Sequence, residues 1–387
     1  MPPRGCKKAA KRASTEEPCV DDEDRISALP DAVLQHVLGF LPAQDAVRAS
    51  VLGTRWSNLW RSTHRLRVAL KPLWSAETQH MFVNRLLLLR DPRSAVEHCE
   101  LDLRGCKLAN TNYVEIWIRH ALLLQARVLD VRYTTVLESR SLVSRFLKVL
   151  RLESVYFQSY ILLDLSSCIA LEDVEFSLVH FDIAVDFSSC RVLEDLQITS
   201  CDMDVCEIRS ASARRLSLVN CTFGVAPWLD EYRAHICAPG LVCLEIRGCD
   251  GINPVLESMP LLQDASVWFN CSDEPGKSCS ARCCGGKGYT FRKDLGFCPT
   301  FNKLRTLYLV NWCLTSDINA LLRFLHHTPN LEKLTLELCE KEMCSQLEIE
   351  DCNPIEPRIL LRQLNTVKVI YCISVHIYFM LRQHVTI

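Results

Sequence analysis

Cysteine is the residue type with the greatest chemical potential in this sequence, which contains 22 cysteines among 387 residues. Several of them lie in one segment rich in glycine, lysine and serine, and four thiolates from such a group are able to bind zinc. These residues are Cys271, Cys279, Cys283, Cys284 and Cys298. Their spacing is irregular and lacks two separated C-x-x-C pairs. We therefore expect no metal and no cofactor, and we interpret the segment at about residues 270–300 as an insertion between structural units.

Catalytic motifs are missing from the sequence. It has no motif that pairs a nucleophile with a base, holds a catalytic zinc ion or cradles a phosphate. The neighbouring His326 and His327 precede Thr328 and Pro329, and we expect them at a solvated helix end. We predict that the chain has no catalytic residues and is not an enzyme.

Charge and hydropathy argue against several other classes of protein. The formal net charge of −2 is unlike that of a general nucleic-acid binder, which carries a basic face, and gives no reason to expect a membrane partner. No apolar run reaches the ~18–20 residues of a membrane-spanning helix. The basic residues near the N-terminus have no apolar segment behind them, so we expect no secretory signal and a reducing compartment, cytoplasmic, nuclear or both. These basic residues fit either a nuclear address or a solvated tail.

Residues 24–61 have the pattern of three short helices. Leu29-Pro30-Asp31 predicts a helix start, because proline suits the first turn and an acidic side chain stabilises it. Pro42 ends this helix, and a second helix carries Val47. The first helix has one apolar face, and so does the third: Val33, Leu34, Val37, Leu38 and Leu41, then Trp56, Leu59 and Trp60. So small a module has too little core to be stable alone, so it packs on the next domain or on another protein.

The order of these residues resembles an F-box in the form common in plant proteins. The match runs without a gap through Ile26-Ser27, Leu29-Pro30-Asp31, Leu34, Val37-Leu38, Phe40-Leu41-Pro42, Asp45-Ala46-Val47-Arg48, Ser50-Val51-Leu52, Arg55-Trp56 and Leu59-Trp60. The resemblance implies docking on a Skp-type adaptor and, through it, on a cullin that carries a RING subunit and a charged ubiquitin-conjugating enzyme. It implies adaptor contacts at Leu29, Pro30, Leu34, Val37, Leu38, Leu41 and Val47.

Three residues depart from the family pattern: Gly39, Ala43 and Gly53. Glycine in a helix, or alanine in place of a usual capping threonine, lowers helix stability by ~1 kcal/mol. None of the three is an apolar contact position, so we expect adaptor docking to be retained.

Beyond the helical module an apolar pattern recurs along the chain. Leu193-x-x-Leu196-x-Ile198-x-x-Cys201 is a clear copy. The second apolar position of each copy falls at Leu101, Leu129, Leu150, Val174, Leu196, Leu216, Leu244, Ala265, Leu307, Leu334 and Val367. Most spacings lie in the ~20–29-residue range of leucine-rich repeats. Each copy contains a short strand with one buried face, so stacked copies predict a parallel sheet in which every repeat depends on its neighbours.

Many of the cysteines have a place in this repeat. They stand at its last position, in the turn after the strand: Cys106, Cys201, Cys221, Cys249, Cys339 and Cys372. Because free cysteine behaves as a small hydrophobic residue, we expect these thiols to pack inward and to stay free of disulfide bonds.

These patterns together predict an α/β protein, in which a small three-helix F-box precedes a leucine-rich-repeat solenoid with a curved parallel sheet and helices or loops on its convex side. The expected segments are a disordered tail at 1–23, the F-box at 24–61, a linking helical segment at 62–95, the solenoid at 96–372 and a C-terminal tail at 373–387. Residues 82–91 and 117–121 resemble the linking helix and the first repeat helix of plant F-box proteins with such repeats. Many of those proteins end in a further C-terminal domain, whose start would fall at 363–372.

The sequence also predicts where a target protein binds. Strand positions that point away from the core are mostly charged or polar in the early repeats: Asp102, Arg104, Asp130, Arg132, Glu153, Glu175 and Gln197. In the later repeats they include Arg247, Trp268, Tyr308, Val310 and Ile370, beside Glu337. Because aromatic and arginine side chains dominate binding hot spots, we expect the target on the C-terminal half of this concave face. The alternative is that the cysteine-rich insertion covers Trp268 and Tyr308.

The expected function comes from the F-box resemblance. It implies the substrate-recognition subunit of a Skp–cullin–F-box ubiquitin ligase, which holds an unknown target protein near the enzyme that transfers ubiquitin. Such proximity raises the effective concentration of target lysines at the thioester. The alternative is a leucine-rich-repeat interaction scaffold with no part in ubiquitin transfer.

Overall fold

The structure is a computed structural model of the chain. It describes residues 26, 28–70, 73–104, 106, 112–137, 141–157, 163–181, 185–203, 207–223, 234–251, 254–269, 299–312, 321–322, 324–338, 359–360, 362–370 and 385–386. The predicted N-terminal tail, the cysteine-rich cluster, Cys339, Cys372 and most of the predicted C-terminal tail lie outside these ranges.

The N-terminal module folds into the short helices that its apolar spacing predicts. The first helix begins directly after Pro30 and ends before Pro42, because a proline suits a helix start but cannot continue a helix. The helices are α1 (Asp31–Phe40), α2 (Ala43–Arg48), α3 (Trp56–Leu59), α4 (Ala76–Leu88) and α5 (Asn112–Leu123), with 3-10 turns at Ala49–Leu52 and Trp60–Ser62. Residues 321–322 and 324–326 are also helical. The segments predicted as linking and first repeat helices lie within or overlap α4 and α5, which pack against each other.

The strands succeed one another along the rest of the chain, most of them short. They are β1 (Arg65–Ala69), β2 (His98–Asp102), β3 (Val128–Leu137), β4 (Val149–Phe157), β5 (Asp173–Ser177), β6 (His180–Phe181), β7 (Val185–Asp186), β8 (Asp195–Thr199), β9 (Asp202–Met203), β10 (Glu207–Arg209), β11 (Arg215–Val219), β12 (Thr222–Phe223), β13 (His235–Cys237), β14 (Cys243–Gly251), β15 (Val255–Leu256), β16 (Asp264–Phe269), β17 (Thr306–Trp312), β18 (Lys333–Leu338), β19 (Ile359–Leu360), β20 (Thr366–Ile370) and β21 (Val385–Thr386).

The longer strands form one parallel sheet whose spatial order is the order of the chain. Its path is β1-β2-β3-β4-β5-β8-β11-β14-β16-β17-β18-β20, and the short strands β6, β9 and β12 join it beside β4 and β14. Apolar repeat positions are successive register partners from Leu129 through Leu150, Val174, Leu196, Leu216, Leu244, Ala265, Leu307 and Leu334 to Val367. The predicted parallel sheet is confirmed. A smaller parallel sheet, β15-β13-β10-β7, and the pair β19-β21 complete the described strands.

The first repeat differs from the prediction in its register. The partner of Leu129 is Cys99, whereas Leu101 pairs with Val131. Both positions in β2 are buried, so the apolar pattern alone fits either alignment. The sheet also begins before residue 96, because β1, within the predicted linking segment, already pairs with β2.

Cysteines at the strand ends connect neighbouring repeats. The thiols of Cys201, Cys221 and Cys249 donate to carbonyl oxygens of the preceding strand. The three contacts are Cys201 to Phe176 at 3.7 Å, Cys221 to Ile198 at 3.4 Å and Cys249 to Leu218 at 3.5 Å. The first two cysteines are buried and the third is half-buried. Cys106, in the first repeat, is likewise half-buried and packs against the core.

One hydrophobic core joins the helical module to the sheet. Leu34, Leu38 and the module's two tryptophans belong to the same buried cluster as Leu66 and Val68 of β1. Helices α1 and α2 both pack against β1. A module too small to be stable alone is therefore completed by the first strand of the sheet.

Candidate functional site

Helix α1 turns one face to the core and another to solvent. Leu34 and Leu38 are 1% and 2% exposed, and their helix packs against β1 and α3. Val33 and Val37, one residue earlier, are 42% and 47% exposed. The prediction that Leu34 and Leu38 contact an adaptor is therefore corrected, because the strand β1 and the neighbouring helix make them core residues.

The exposed large apolar side chains of the module define a surface that we call the N-terminal apolar surface. Its members are Ile26, Leu29, Val33, Val37, Phe40, Leu41, Val51 and Leu52. Among the other predicted contacts, Pro30 is exposed and Val47 is partly buried against the core. So many exposed apolar side chains in one short segment mark a protein-binding site. Val51 and Leu52 were not among the predicted contacts, although an apolar pair directly before Gly53 is a signal that the sequence offers.

Arg55 connects two parts of this surface. Its guanidinium contacts the carboxylate of Asp31 at 2.5 Å and donates to the carbonyl oxygen of Leu29 at 2.5 Å. The segment directly after Leu52 is thereby held at the start of α1. Val51 and Leu52 are consequently held in a fixed position relative to the apolar residues of α1 before any partner binds.

Gly39 has a structural role that its position in a helix does not reveal. A Cβ atom at this position would lie 3.2 Å from the Cβ of Arg65 in β1. Glycine therefore allows α1 to approach the first strand closely, and the guanidinium of Arg65 lies 5.2 Å from the ring centroid of Phe40. The predicted loss of helix propensity is accompanied by a packing requirement.

Two polar side chains attach the module to the adjoining segments of the chain. Gln44 donates through Nε2 to the carbonyl oxygen of Ala69 at 2.6 Å. Arg90, beyond α4 and 4% exposed, donates to the hydroxyl and carbonyl oxygens of Thr63 at 3.2 Å and 2.5 Å. Buried hydrogen bonds of a charged donor are strong and directional, so the N-terminal apolar surface has a defined orientation relative to the sheet.

The strand face, made by the strand side chains that point away from the core, carries paired charges in β1–β4. Arg132 contacts Glu100, Asp130 and Glu153 at 3.3, 2.8 and 3.4 Å. Further pairs join Arg67 to Glu100 at 2.9 Å, Arg104 to Asp102 at 2.8 Å and Arg104 to Glu153 at 3.3 Å. The hydrogen bonds from Arg104 lower the pKa of Asp102. A partner covering this network would have to desolvate charges that already have their counterparts.

A connected row of side chains crosses four neighbouring strands in the C-terminal half of the strand face. We call it the aromatic row: Arg247, Trp268, Tyr308 and Glu337. The guanidinium of Arg247 lies 5.2 Å from the centroid of the Trp268 ring, and the Trp268 and Tyr308 rings meet edge to face at 6.4 Å. The Tyr308 hydroxyl donates to a carboxylate oxygen of Glu337, which raises the pKa of Tyr308. All four side chains are partly exposed, so the rings are held in place without being buried.

Two other predicted target contacts lie beside this row. Val310 is 3% exposed, although it stands in register between the partly exposed Trp268 and Glu337. The prediction of Val310 as an outward contact is therefore corrected. Ile370 is the register partner of Glu337 on the far side and is partly exposed. The insertion that was the alternative cover for Trp268 lies outside the described residues.

The part of the chain that the structure describes contains neither a cluster of metal ligands nor a helix that could span a membrane. Within those ranges no three His, Cys, Asp or Glu side chains come together as metal ligands. None of the described helices is both long and apolar enough to span a membrane. His326 is exposed at the end of its helical segment, and the carbonyl oxygen of the partly buried His327 accepts the backbone N–H of Phe301 at 2.7 Å.

Comparison with known proteins agrees with the geometry of the module. The F-box domain family matches residues 26–67, which contain the whole N-terminal apolar surface and most of β1. A putative F-box/FBD/LRR-repeat protein of Arabidopsis thaliana is 32% identical over 190 residues, covering 41% of this chain and 42% of that protein. A second F-box/FBD/LRR-repeat protein of the same plant is 29% identical over 288 residues, covering 65% of this chain and 60% of that protein.

A third relative aligns with the chain over fewer residues than the first two. An Arabidopsis thaliana F-box/LRR-repeat protein is 29% identical over 153 residues, which is 40% of this chain and 50% of that protein. In each of these comparisons the chain covers less than two thirds of the relative's length. No solved structure matches the chain.

Proposed function

Because the chain is a plant-type F-box/leucine-rich-repeat protein, we propose that it is the substrate-recognition subunit of a Skp–cullin–F-box ubiquitin ligase. The observation that carries this proposal is the N-terminal apolar surface, whose eight large apolar side chains are exposed although their segment also supplies core residues. A Skp-type adaptor covering this surface removes the exposed apolar area from water. Through the adaptor the chain reaches a cullin.

The proposed mechanism is one of positioning. In it the parallel sheet is the sheet of a leucine-rich-repeat solenoid, and its strand face holds a target protein through the aromatic row. The buried contacts of Arg90 and Gln44 fix the adaptor surface relative to the sheet. A bound target is thereby presented to the ubiquitin-conjugating enzyme at high effective concentration. The chain supplies no reacting group in this scheme and acts in the cytoplasm, the nucleus or both.

The adaptor interaction is tested by placing a charge at two positions of the N-terminal apolar surface, one in α1 and one in the 3-10 turn at Ala49–Leu52. In Val37→Asp and Val51→Asp the new carboxylate would be buried by the adaptor without a partner, which costs several kcal/mol. We expect at least a tenfold loss of affinity for a purified Skp-type adaptor, with unchanged thermal stability of the free chain. The matched control is Ile169→Asp, since Ile169 is 60% exposed but lies outside the module, and it should bind as wild type does.

The control outcomes separate docking from folding. Leu38→Asp places a charge in the core, so we expect it to unfold the module rather than to weaken docking selectively. Wild-type affinity in both Val37→Asp and Val51→Asp would contradict the proposal.

The ligase role is tested separately in cells with the proteasome blocked. Proteins that co-purify with wild type should carry ubiquitin, and they should be lost with the double variant Trp268→Ala, Tyr308→Ala, while adaptor binding and thermal stability remain. Adaptor and cullin binding without any ubiquitinated partner would favour the interaction scaffold instead. A double variant that melts markedly lower yet keeps its partners would place Trp268 and Tyr308 in the core and the target site elsewhere.

A further inference from the structure

Some charged side chains around the aromatic row form ion pairs, and others do not. Lys333 in β18 and Lys368 in β20 are exposed on the strand face. No carboxylate among the described residues forms an ion pair with either lysine, in contrast to the network around Arg132 in β3. Arg247 contacts Glu245 only at 3.8 Å and retains donor groups for a ligand. Within the described ranges, the two lysines therefore have no carboxylate partner, and Arg247 has only a distant one.

The carboxylates of the same region are mostly occupied. Glu337 accepts the hydroxyl of Tyr308, and Glu245 accepts the hydroxyl of Ser217 at 2.9 Å in addition to its contact with Arg247. Asp264 is exposed, accepts only the thiol of Cys243 among the described groups, at 3.9 Å, and lies two strands away from Lys333 in the same register row. A carboxylate that accepts a hydroxyl keeps its negative charge, so these three carboxylates formally balance the three cations. The local excess of positive charge lies at Lys333 and Lys368, which stand on the neighbouring strands β18 and β20 at adjacent outward positions of the register.

The register gives this region its dimensions. Lys368 is the partner of Thr335, and Thr335 is the partner of Tyr308, so Lys368 and Tyr308 stand two strands apart on the same row. From β14 to β20 the path crosses four strand spacings, which at ~4.8 Å each is ~19 Å. An extended peptide of about six residues, at ~3.3 Å per residue, spans that distance.

From these observations we propose that the aromatic row, together with Lys333 and Lys368, binds an acidic peptide segment of the target protein that carries an apolar or aromatic side chain. The apolar side chain packs on Trp268 and Tyr308, and the carboxylates pair with the two lysines and with Arg247. This inference rests on the proposed function only in assigning the peptide to a protein that is ubiquitinated. The peptide preference itself is a property of the strand face and does not require the adaptor.

The preference is tested with a displayed library of random dodecamer peptides, selected on the purified full chain without the adaptor. We expect the selected peptides to be enriched in Asp and Glu and to contain an apolar or aromatic residue. A labelled synthetic copy of a selected peptide should lose at least tenfold in affinity for Lys333→Glu with Lys368→Glu, and likewise for Trp268→Ala with Tyr308→Ala. The neutral pair Lys333→Gln with Lys368→Gln should show a smaller loss.

The matched control is Arg145→Glu with Arg191→Glu, two exposed arginines in the turns before β4 and β8, which should bind the peptide as wild type does. Selected peptides without acidic enrichment would overturn the inference. So would undiminished affinity in the charge-reversed lysine pair, or equal binding of single-stranded DNA of the same charge. Loss of adaptor binding in Val37→Asp has no bearing on peptide selection, so failure of this inference and failure of the proposed function are distinguishable.

Discussion

The backbone position four residues after the second apolar position of the repeat adopts a left-handed conformation in five successive repeats. Its φ is 57° at Ser154, 55° at Leu178, 53° at Ser200, 54° at Asn220 and 64° at Gly248. Glycine and asparagine accept this conformation more readily than other residues, and a leucine in it is strained by ~1–2 kcal/mol. The repeat geometry therefore imposes the same left-handed conformation on serine, leucine, asparagine and glycine, which differ in how readily they adopt it.

Leu178 is the residue at which this strain should be removable. It is 52% exposed, so replacing it forfeits little apolar burial. We expect Leu178→Asn to raise the free energy of unfolding by ~0.5–1 kcal/mol, since asparagine is tolerated in the left-handed region. Chemical denaturation of the full chain measures the change. Ile169→Asn, at an exposed position with ordinary φ, is the control and should bring no gain; equal stability of wild type and Leu178→Asn would show that the turn is not strained.

Gly248 is the residue at which a side chain would collide with its neighbour in the same turn. A Cβ there would lie 2.2 Å from Oδ1 of Asn220, at a φ of +64°. We expect Gly248→Ala to lower the free energy of unfolding by ~1–2 kcal/mol. Gly53→Ala is the matched control, because its nearest new contact would be an ordinary 3.8 Å to Trp56. Equal melting temperatures for the two variants would contradict this account.

At the scale of elements, the attachment of the module depends on Arg90. Its guanidinium donates to two oxygen atoms of Thr63 in a buried setting, and a side chain without donors would remove both hydrogen bonds. We expect Arg90→Met to lower the free energy of unfolding by ~2–4 kcal/mol. The measurement is thermal unfolding combined with limited proteolysis between the module and α4. Arg93→Met, at an exposed site, should behave as wild type; if Arg90→Met does so too, the module is held by apolar packing alone.

At the scale of the whole molecule, the single core couples the cysteines of distant repeats. Burial raises the pKa of Cys99 in β2 to about 12 and that of Cys201 after β8 to about 11. At pH 8 both remain protonated and unreactive, because the thiolate is the nucleophile. Both thiols should therefore react with an alkylating agent only after unfolding.

The coupling predicts that Cys99 and Cys201 become reactive in the same denaturation transition. Mass spectrometry of each cysteine after a short alkylation pulse at increasing urea measures this. In full denaturant without reductant, nearly all 22 cysteines of the chain should be alkylated. Separate transitions for the two cysteines would show that the repeats unfold independently, and several stable disulfides would contradict the expected reducing compartment.

Local patterns in the sequence determined the helices of the module, the parallel sheet and most of its register. The spacing of Leu129, Leu150 and the later repeat residues is such a pattern, since each strand selects its buried face by alternation alone. The ordered F-box residues and the turns at Pro30 and Pro42 are also local. In β2, alternation leaves Cys99 and Leu101 equivalent, and only pairing with β3 shows that Cys99 is the partner of Leu129.

The tertiary structure decided which apolar residues are available to a partner. Both flanks of α1 are apolar, so the sequence of the helix does not show which of Val37 and Leu38 is buried. The position of β1 decides this, because β1 covers Leu38. The same is true of Val310, which shares the outward alternation of Tyr308 but is buried in the folded protein. Burial depends on the segments that pack against a residue from elsewhere in the chain, and that information is distributed over the whole sequence rather than over the residue's immediate neighbours.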